Sequence, residues 1–184
     1  MRHGLLRLAL LAAIVTGGSV ARAQDLNVDS SEYLIKAGFV YNFAKLVEWS
    51  PGAAQTDQPI VIGVLGNNAF AETLGRVVDG KNLDGRPFVV RTLRSQDFRD
   101  CRCHILFVGS AERTSVEEII RFQESASVLT VSEASDFARD GGIIAFVLQD
   151  NKIRFEVNVE AAKRADLAIS SRLLSLATIV RTTR

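Results

Sequence analysis

The sequence has 184 residues with a formal net charge of +1, 23% charged and 47% hydrophobic residues, and only two cysteines and two histidines. That size carries one domain with a real core and not two ordinary ones. Its near-neutral, interspersed charge excludes the basic footprint of a nucleic-acid binder. It holds no internal repeat, no low-complexity tract and no apolar stretch long enough to span a bilayer.

The chain opens on a leader. Arg2, His3 and Arg7 make a basic start, residues 8–15 are an unbroken apolar run, and Ala21-Arg22-Ala23 stands before Gln24. This order predicts a secretory signal peptide over 1–23, cleaved near Gln24. A soluble amphipathic helix is the bland alternative, but the segment has no acidic residue and no polar face. The mature chain, 24–184, is expected as a single domain in an oxidising compartment, the bacterial periplasm. Losing Arg2, Arg7 and Arg22 leaves 19 basic against 21 acidic side chains, a net charge of −2.

Residues 31–49 read as the first helix, with Ser30 or Ser31 as its cap and Pro51 just past its end. Only Lys36, Asn42, Lys45 and Glu48 interrupt its apolar residues, and they do not line up on one side. A surface helix needs one apolar stripe, so a second apolar face must be covered by something. Either the same chain covers it, through the 51–59 linker (PGAAQTDQP) or the carboxyl-terminal helix, or a homodimer or partner does. In the second case Phe39, Tyr41, Phe43 and Trp49 are the interface candidates, with Tyr41 and Trp49 as the aromatic anchors.

A buried strand follows over 60–65, then a helix over 69–78 and strands over 88–91 and 104–108. A helix over 115–123 carries Glu117 and Glu118 in its first turn, where they face the helix dipole more naturally than they form an acid–base couple. A strand over 128–131 precedes a short turn of helix near Phe137. Then comes a hairpin. Residues 143–148 are continuously apolar, and after the Asp150-Asn151 turn the pattern alternates, with Ile153, Phe155, Val157 and Val159 opposite Lys152, Arg154, Glu156 and Asn158. That alternation predicts a half-solvated antiparallel strand near a sheet edge. Ala162, Ala165, Ile169, Leu173, Leu176 and Val180 recur at steps of three and four and predict a long carboxyl-terminal helix. The expected fold is an α/β single-domain sandwich, with a mixed, mostly parallel sheet ending in an antiparallel hairpin.

Three potential ligand or redox groups crowd into DCRCHILFV, residues 100–108. Cys101, Cys103 and His104 fall short of the four ligands of a zinc site, and His104 is the only histidine outside the leader. A thioredoxin-type pair spaces its cysteines by two residues at a helix start, whereas these are spaced by one before a strand. In an extended strand, residues i and i+2 lie about 6.6 Å apart, near the upper limit for a disulfide. Cys101 and Cys103 can therefore bond only if the chain curls; free thiols or pairing across a dimer are the alternatives. A structural or mildly redox-sensitive role is favoured.

No catalytic motif is present. There is no G-x-S-x-G, no Ser–His pair with an acid and no phosphate loop with a lysine; GVLGNN, 63–68, has the wrong spacing and reads as a turn. No cofactor, metal or nucleic acid is implied, and an enzyme is not expected. Strand ends in an α/β sheet instead nominate a ligand crevice at Gly66, Asn67, Gly109, Ser110, Ser132 and Glu133.

Several blocks taken together resemble the YfiR-like family: EYLIKAGFVYNFAKLVEW (32–49), CHILFV (103–108), VLTVSEASDFARDGGIIAFV (128–147), KIRFEVN (152–158) and ISSRLLSLA (169–177). The similarity runs from about residue 32 to 180. It implies a secreted periplasmic protein, dimeric in the name-giving type, that represses a membrane-bound diguanylate cyclase by binding that enzyme's periplasmic domain. Cyclic-di-GMP signalling and biofilm output would follow. The type member carries more cysteines, paired into disulfides, so its redox control does not transfer to a chain with only Cys101 and Cys103. The other class open to the sequence is a periplasmic small-molecule sensor or binding protein serving a transporter or histidine kinase.

Overall fold

A computed structural model describes residues 20–49, 58–112 and 114–183, with side chains from residue 31 onward. In chain order the elements are α1 (Val20–Leu46), β1 (Val47–Trp49), β2 (Ile60–Leu65), α2 (Asn68–Val78), β3 (Asn82–Leu83) and β4 (Arg86–Leu93). After a 3-10 turn at Phe98–Asp100 come β5 (Ile105–Val108), α3 (Val116–Ala126), β6 (Leu129–Ser132), β7 (Ile144–Gln149) and β8 (Lys152–Asn158). The chain closes through α4 (Val159–Arg164), β9 (Leu167–Ile169), α5 (Ser171–Leu174) and β10 (Thr178–Val180).

Eight strands form one sheet in the order β10-β8-β7-β6-β5-β2-β4-β3. The central ladders between β4, β2, β5, β6 and β7 are parallel, and β8 returns antiparallel to β7. β2, β5 and β6 are buried at every position, which is why they read as continuous apolar runs. Alternate side chains feed two cores. Ile62 and Val64 join Phe43, Phe70, Phe107, Phe146 and Phe155 on the α1 and α2 side, while Val61 and Leu65 join Phe98, Phe122 and Phe137 on the α3 side. Each fully buried Phe contributes roughly 1.5–3 kcal/mol of transfer free energy. The sandwich and the mixed, mostly parallel sheet are as the sequence predicts.

The ends of the chain differ from expectation. The first helix does not run to residue 49. It stops at Leu46, and Val47–Trp49 is a strand paired antiparallel with Leu167–Ile169. Nor does it start at Ser30 or Ser31, since α1 already begins at Val20. Of the expected leader, 1–23, only 20–23 fall within the described residues, as does only 58–59 of the linker. Near Phe137 the backbone makes a run of turns in place of a helical turn.

There is no long carboxyl-terminal helix. Asp166 adopts a left-handed backbone (φ 55°) and ends α4, and Ser170 caps a new four-residue helix by accepting from Leu173 N–H at 3.2 Å. The three-and-four spacing survives because successive short elements each bury their share: Ala162 and Ala165 at α4, Leu173 in α5 and Val180 in β10. Leu176 is left exposed. The sheet-edge reading of β8 holds for its first half only. Glu156 and Asn158 are buried, because β10 extends the sheet beside them and Arg139 Nη2 closes on Glu156 Oε1 at 2.6 Å.

Candidate functional site

The order β4-β2-β5-β6-β7 reverses direction between β2 and β5, and such a switch point opens a crevice at the carboxyl ends of the strands. The residues nominated there come together from three strand ends. Asn67 Oδ1 caps α2 by accepting from Phe70 N–H at 3.0 Å, which frees its Nδ2 to donate to Glu133 Oε2 at 3.2 Å. Ser110 N–H points to the same Glu133 oxygen at 3.5 Å. Ser132 Oγ donates to the Val108 carbonyl at 2.9 Å and fixes the turn that presents Glu133. Gly109 N–H donates to the Leu65 carbonyl at 2.8 Å. A Cβ on Gly109 would fall 2.9 Å from both Asn67 Cβ and the Gly66 carbonyl oxygen, so only glycine lets these two turns touch.

This crevice is occupied by the chain itself. From α1, Lys36 Nζ donates to Glu133 Oε1 at 2.8 Å and also pairs with Glu32 one turn earlier. The Tyr33 hydroxyl accepts from Asn67 Nδ2 at 3.1 Å while its ring packs edge-on against Phe70. Burial of Lys36 works to lower its pKa, but the hydrogen bonds and charges of Glu133 and Glu32 outweigh it and hold the pKa above the ordinary value. The ammonium is thus a permanent cation in a slot of carboxylates, suited to locking a helix and unsuited to proton transfer. Sequence reasoning missed Lys36, Tyr33 and Glu32; the available signal was Lys36, a charge set early in a nearly all-apolar stretch of helix.

The aromatic interface candidates lean on the chain's own core. Phe43 is fully buried, and Phe39 packs on Phe43, Phe146 and Phe155. Tyr41 meets Phe88 edge-on under Lys45 and Lys81, and Trp49 packs edge-on against His104. The sheet and α2, rather than a long terminal helix, cover that side of α1. Among its described side chains, the large apolar ones that α1 exposes are Leu34 and Ile35, at 53% and 49%.

At the other end of the strands the chain does curl. Cys101 and Cys103 form a disulfide with their Cα atoms 5.2 Å apart, bent through the 3-10 turn and a left-handed Arg102 (φ 45°). His104 Nδ1 accepts from Val61 N–H at 3.1 Å, and its Nε2 lies 2.8 Å from Arg86 Nη2. Burial, with the Arg86 charge added, pushes its pKa down to about 4, so the ring is neutral and structural. Among the described residues no group of three or more His, Cys, Asp or Glu is placed to hold a metal ion, and no helix is long and apolar enough to cross a membrane.

Among solved structures, the chain is similar to a conserved domain protein from Vibrio cholerae O1 biovar El Tor (TM-score 0.52, 15% identity), over 80% of this chain and 59% of that one. It is also similar to the ABC domain from Streptococcus pneumonia, in complex with L-Trp (TM-score 0.46, 10% identity), over 65% and 55%. The chain thus spans less than two thirds of either protein, and at such identities the first likeness speaks to the fold alone. None of the curated proteins matches it. The YfiR/HmsC-like family matches over residues 33–178, which begins past the expected leader and takes in α1 from residue 33, the strand-end crevice and the disulfide turn. By that match the chain belongs to the YfiR/HmsC-like family.

Proposed function

We propose that the protein is a periplasmic regulatory binding protein that docks on the periplasmic domain of an inner-membrane diguanylate cyclase and represses it, lowering cyclic-di-GMP and biofilm output. One observation carries the reading. The strand-end crevice, the usual ligand site of such a sheet, is filled by Lys36 and Tyr33 of α1. Among its described side chains, the helix leaves an apolar outer face at Leu34 and Ile35. An exposed apolar pair of this kind is proposed as a partner anchor, and the partner class proposed is the one that the resemblance implies. Tyr41 and Trp49, each partly exposed, extend the proposed surface along the same helix and into β1, and a homodimer is the form proposed to use it.

Deleting the gene should raise cyclic-di-GMP severalfold. Wild type should restore it, and a folded Leu34→Asp, Ile35→Asp variant should not. An unchanged cyclic-di-GMP level in the deletion, or full restoration by that variant, overturns the reading. A ligand in the strand-end crevice, as a small-molecule sensor would need, requires the Lys36–Glu133 pair to open first.

A further inference from the structure

At the amino ends of β2, β5 and β6, at the opposite end of the sheet from Glu133, lies a cavity of about 600 Å³ on the α3 side. Small-molecule sites fall between about 300 and 1,000 Å³. Arg91 of β4 and Arg99 and Arg102 of the disulfide turn line it, together with His104, Phe122 and Val128, and among the described residues no carboxylate is in its lining. Three guanidinium groups converge here in a chain whose charges otherwise nearly cancel.

Two of the arginines are held by side-chain contacts and the third by its backbone. Arg91 Nη1 donates to the Cys101 carbonyl at 3.3 Å, which uses one of its five N–H groups. Arg102 sits between two bridged cysteines, which fix the backbone from which its exposed side chain extends. Arg99 lies 5.0 Å over the Phe98 ring and 3.2 Å from Glu118 Oε2, the one acid facing it from α3. The salt bridges among the described residues bring no carboxylate to Arg91 or Arg102. Guanidinium forks with free N–H groups match the oxygens of carboxylates and phosphates in paired hydrogen bonds, and pre-ordered ones lose less entropy on binding. Phe122, Val61 and Val128 add an apolar wall.

We propose that this cavity binds a small organic oxyanion, whose phosphate or carboxylate group is taken by Arg91 and Arg102 and whose apolar body lies along Phe122 and Val128. The proposal is independent of the repressor reading, since it needs no partner protein.

The chain has a single tryptophan, Trp49, whose ring lies 5.9 Å from that of His104 in the cavity wall, so its fluorescence can report occupancy. The purified protein is titrated with inorganic phosphate, succinate and phenyl phosphate, by fluorescence and calorimetry. Phenyl phosphate should bind more tightly than inorganic phosphate, and comparison with succinate separates phosphate from carboxylate preference. Arg91→Gln and Arg102→Gln should each weaken binding at least tenfold, while Arg154→Gln, exposed on β8, leaves it unchanged. Ala126→Phe, which fills the cavity from the exposed side of α3 without touching a charge, should abolish binding. Failure of all three anions to bind overturns the proposal. So does unchanged affinity in the folded arginine variants, or, should those unfold, in Ala126→Phe.

Discussion

His104 and Lys36 are both buried and titratable, and their surroundings push them in opposite senses. His104 meets a backbone N–H on one ring nitrogen and a guanidinium on the other, and the folded chain refuses its proton down to about pH 4. The unfolded chain accepts that proton near pH 6.5. Between those values the unfolded state binds more protons, so stability falls as pH drops through the window and the loss levels off below about 4. The loss is at most about 3 kcal/mol, and less to the extent that solvent screens the Arg86 side. Urea midpoints measured at pH 7 and pH 4.5 should converge more in His104→Gln than in wild type. Lys36 is the reverse case, a charge kept because Glu133 and Glu32 surround it. Lys36→Met leaves the Glu133 carboxylate with Asn67 and Ser110 alone, and should cost about 2–3 kcal/mol, below the roughly 3–5 typical of a broken buried pair. Adding Glu133→Gln should return most of it, and a double-mutant cycle by chemical denaturation checks the coupling.

At the scale of elements, the disulfide turn invites a clear expectation. It closes a loop of three residues, and loop-closure entropy grows with loop length, so so small a ring constrains the unfolded chain little. Cys101→Ser with Cys103→Ser should therefore lower stability by less than the roughly 2–5 kcal/mol of an ordinary structural disulfide in a small secreted domain. Thermal melts with and without reductant test it, and a large drop confined to oxidised samples would contradict it. Elements with one dominant signal were legible. β2, β5 and β6 declared themselves by apolar runs, and α3 by Ser115 and its first-turn acids. The carboxyl-terminal third misled because period alone cannot tell one helix from a relay of short elements burying residues at similar intervals. The breaks were written in Asp166 and in Ser170-Ser171, turn and cap residues that periodicity ignores. β1 was illegible for another reason: nothing local makes Val47–Trp49 a strand except a partner far along the chain.

Across the whole molecule, the strand-end crevice was legible as geometry, since turns after parallel strands converge at a switch point. Its occupant was not, because Lys36 reaches Glu133 only through tertiary packing of α1. The same long-range packing orders the events of folding. β1 finds its ladder only in β9, and α1 shares its core with Phe146, Phe155 and Leu173. α1 meets α2 early, through Tyr33 and Phe70, but the other half of its core, on β7, β8 and α5, lies far along the chain. Contacts between the two ends of a chain meet the entropy of loop closure before they gain anything, which slows folding. If the chain is exported, as the leader expected over 1–23 proposes, that delay is an advantage. A core completed only by distant strands keeps such a chain threadable, and β9, close to the carboxyl end, carries the partner that lets β1 come to rest.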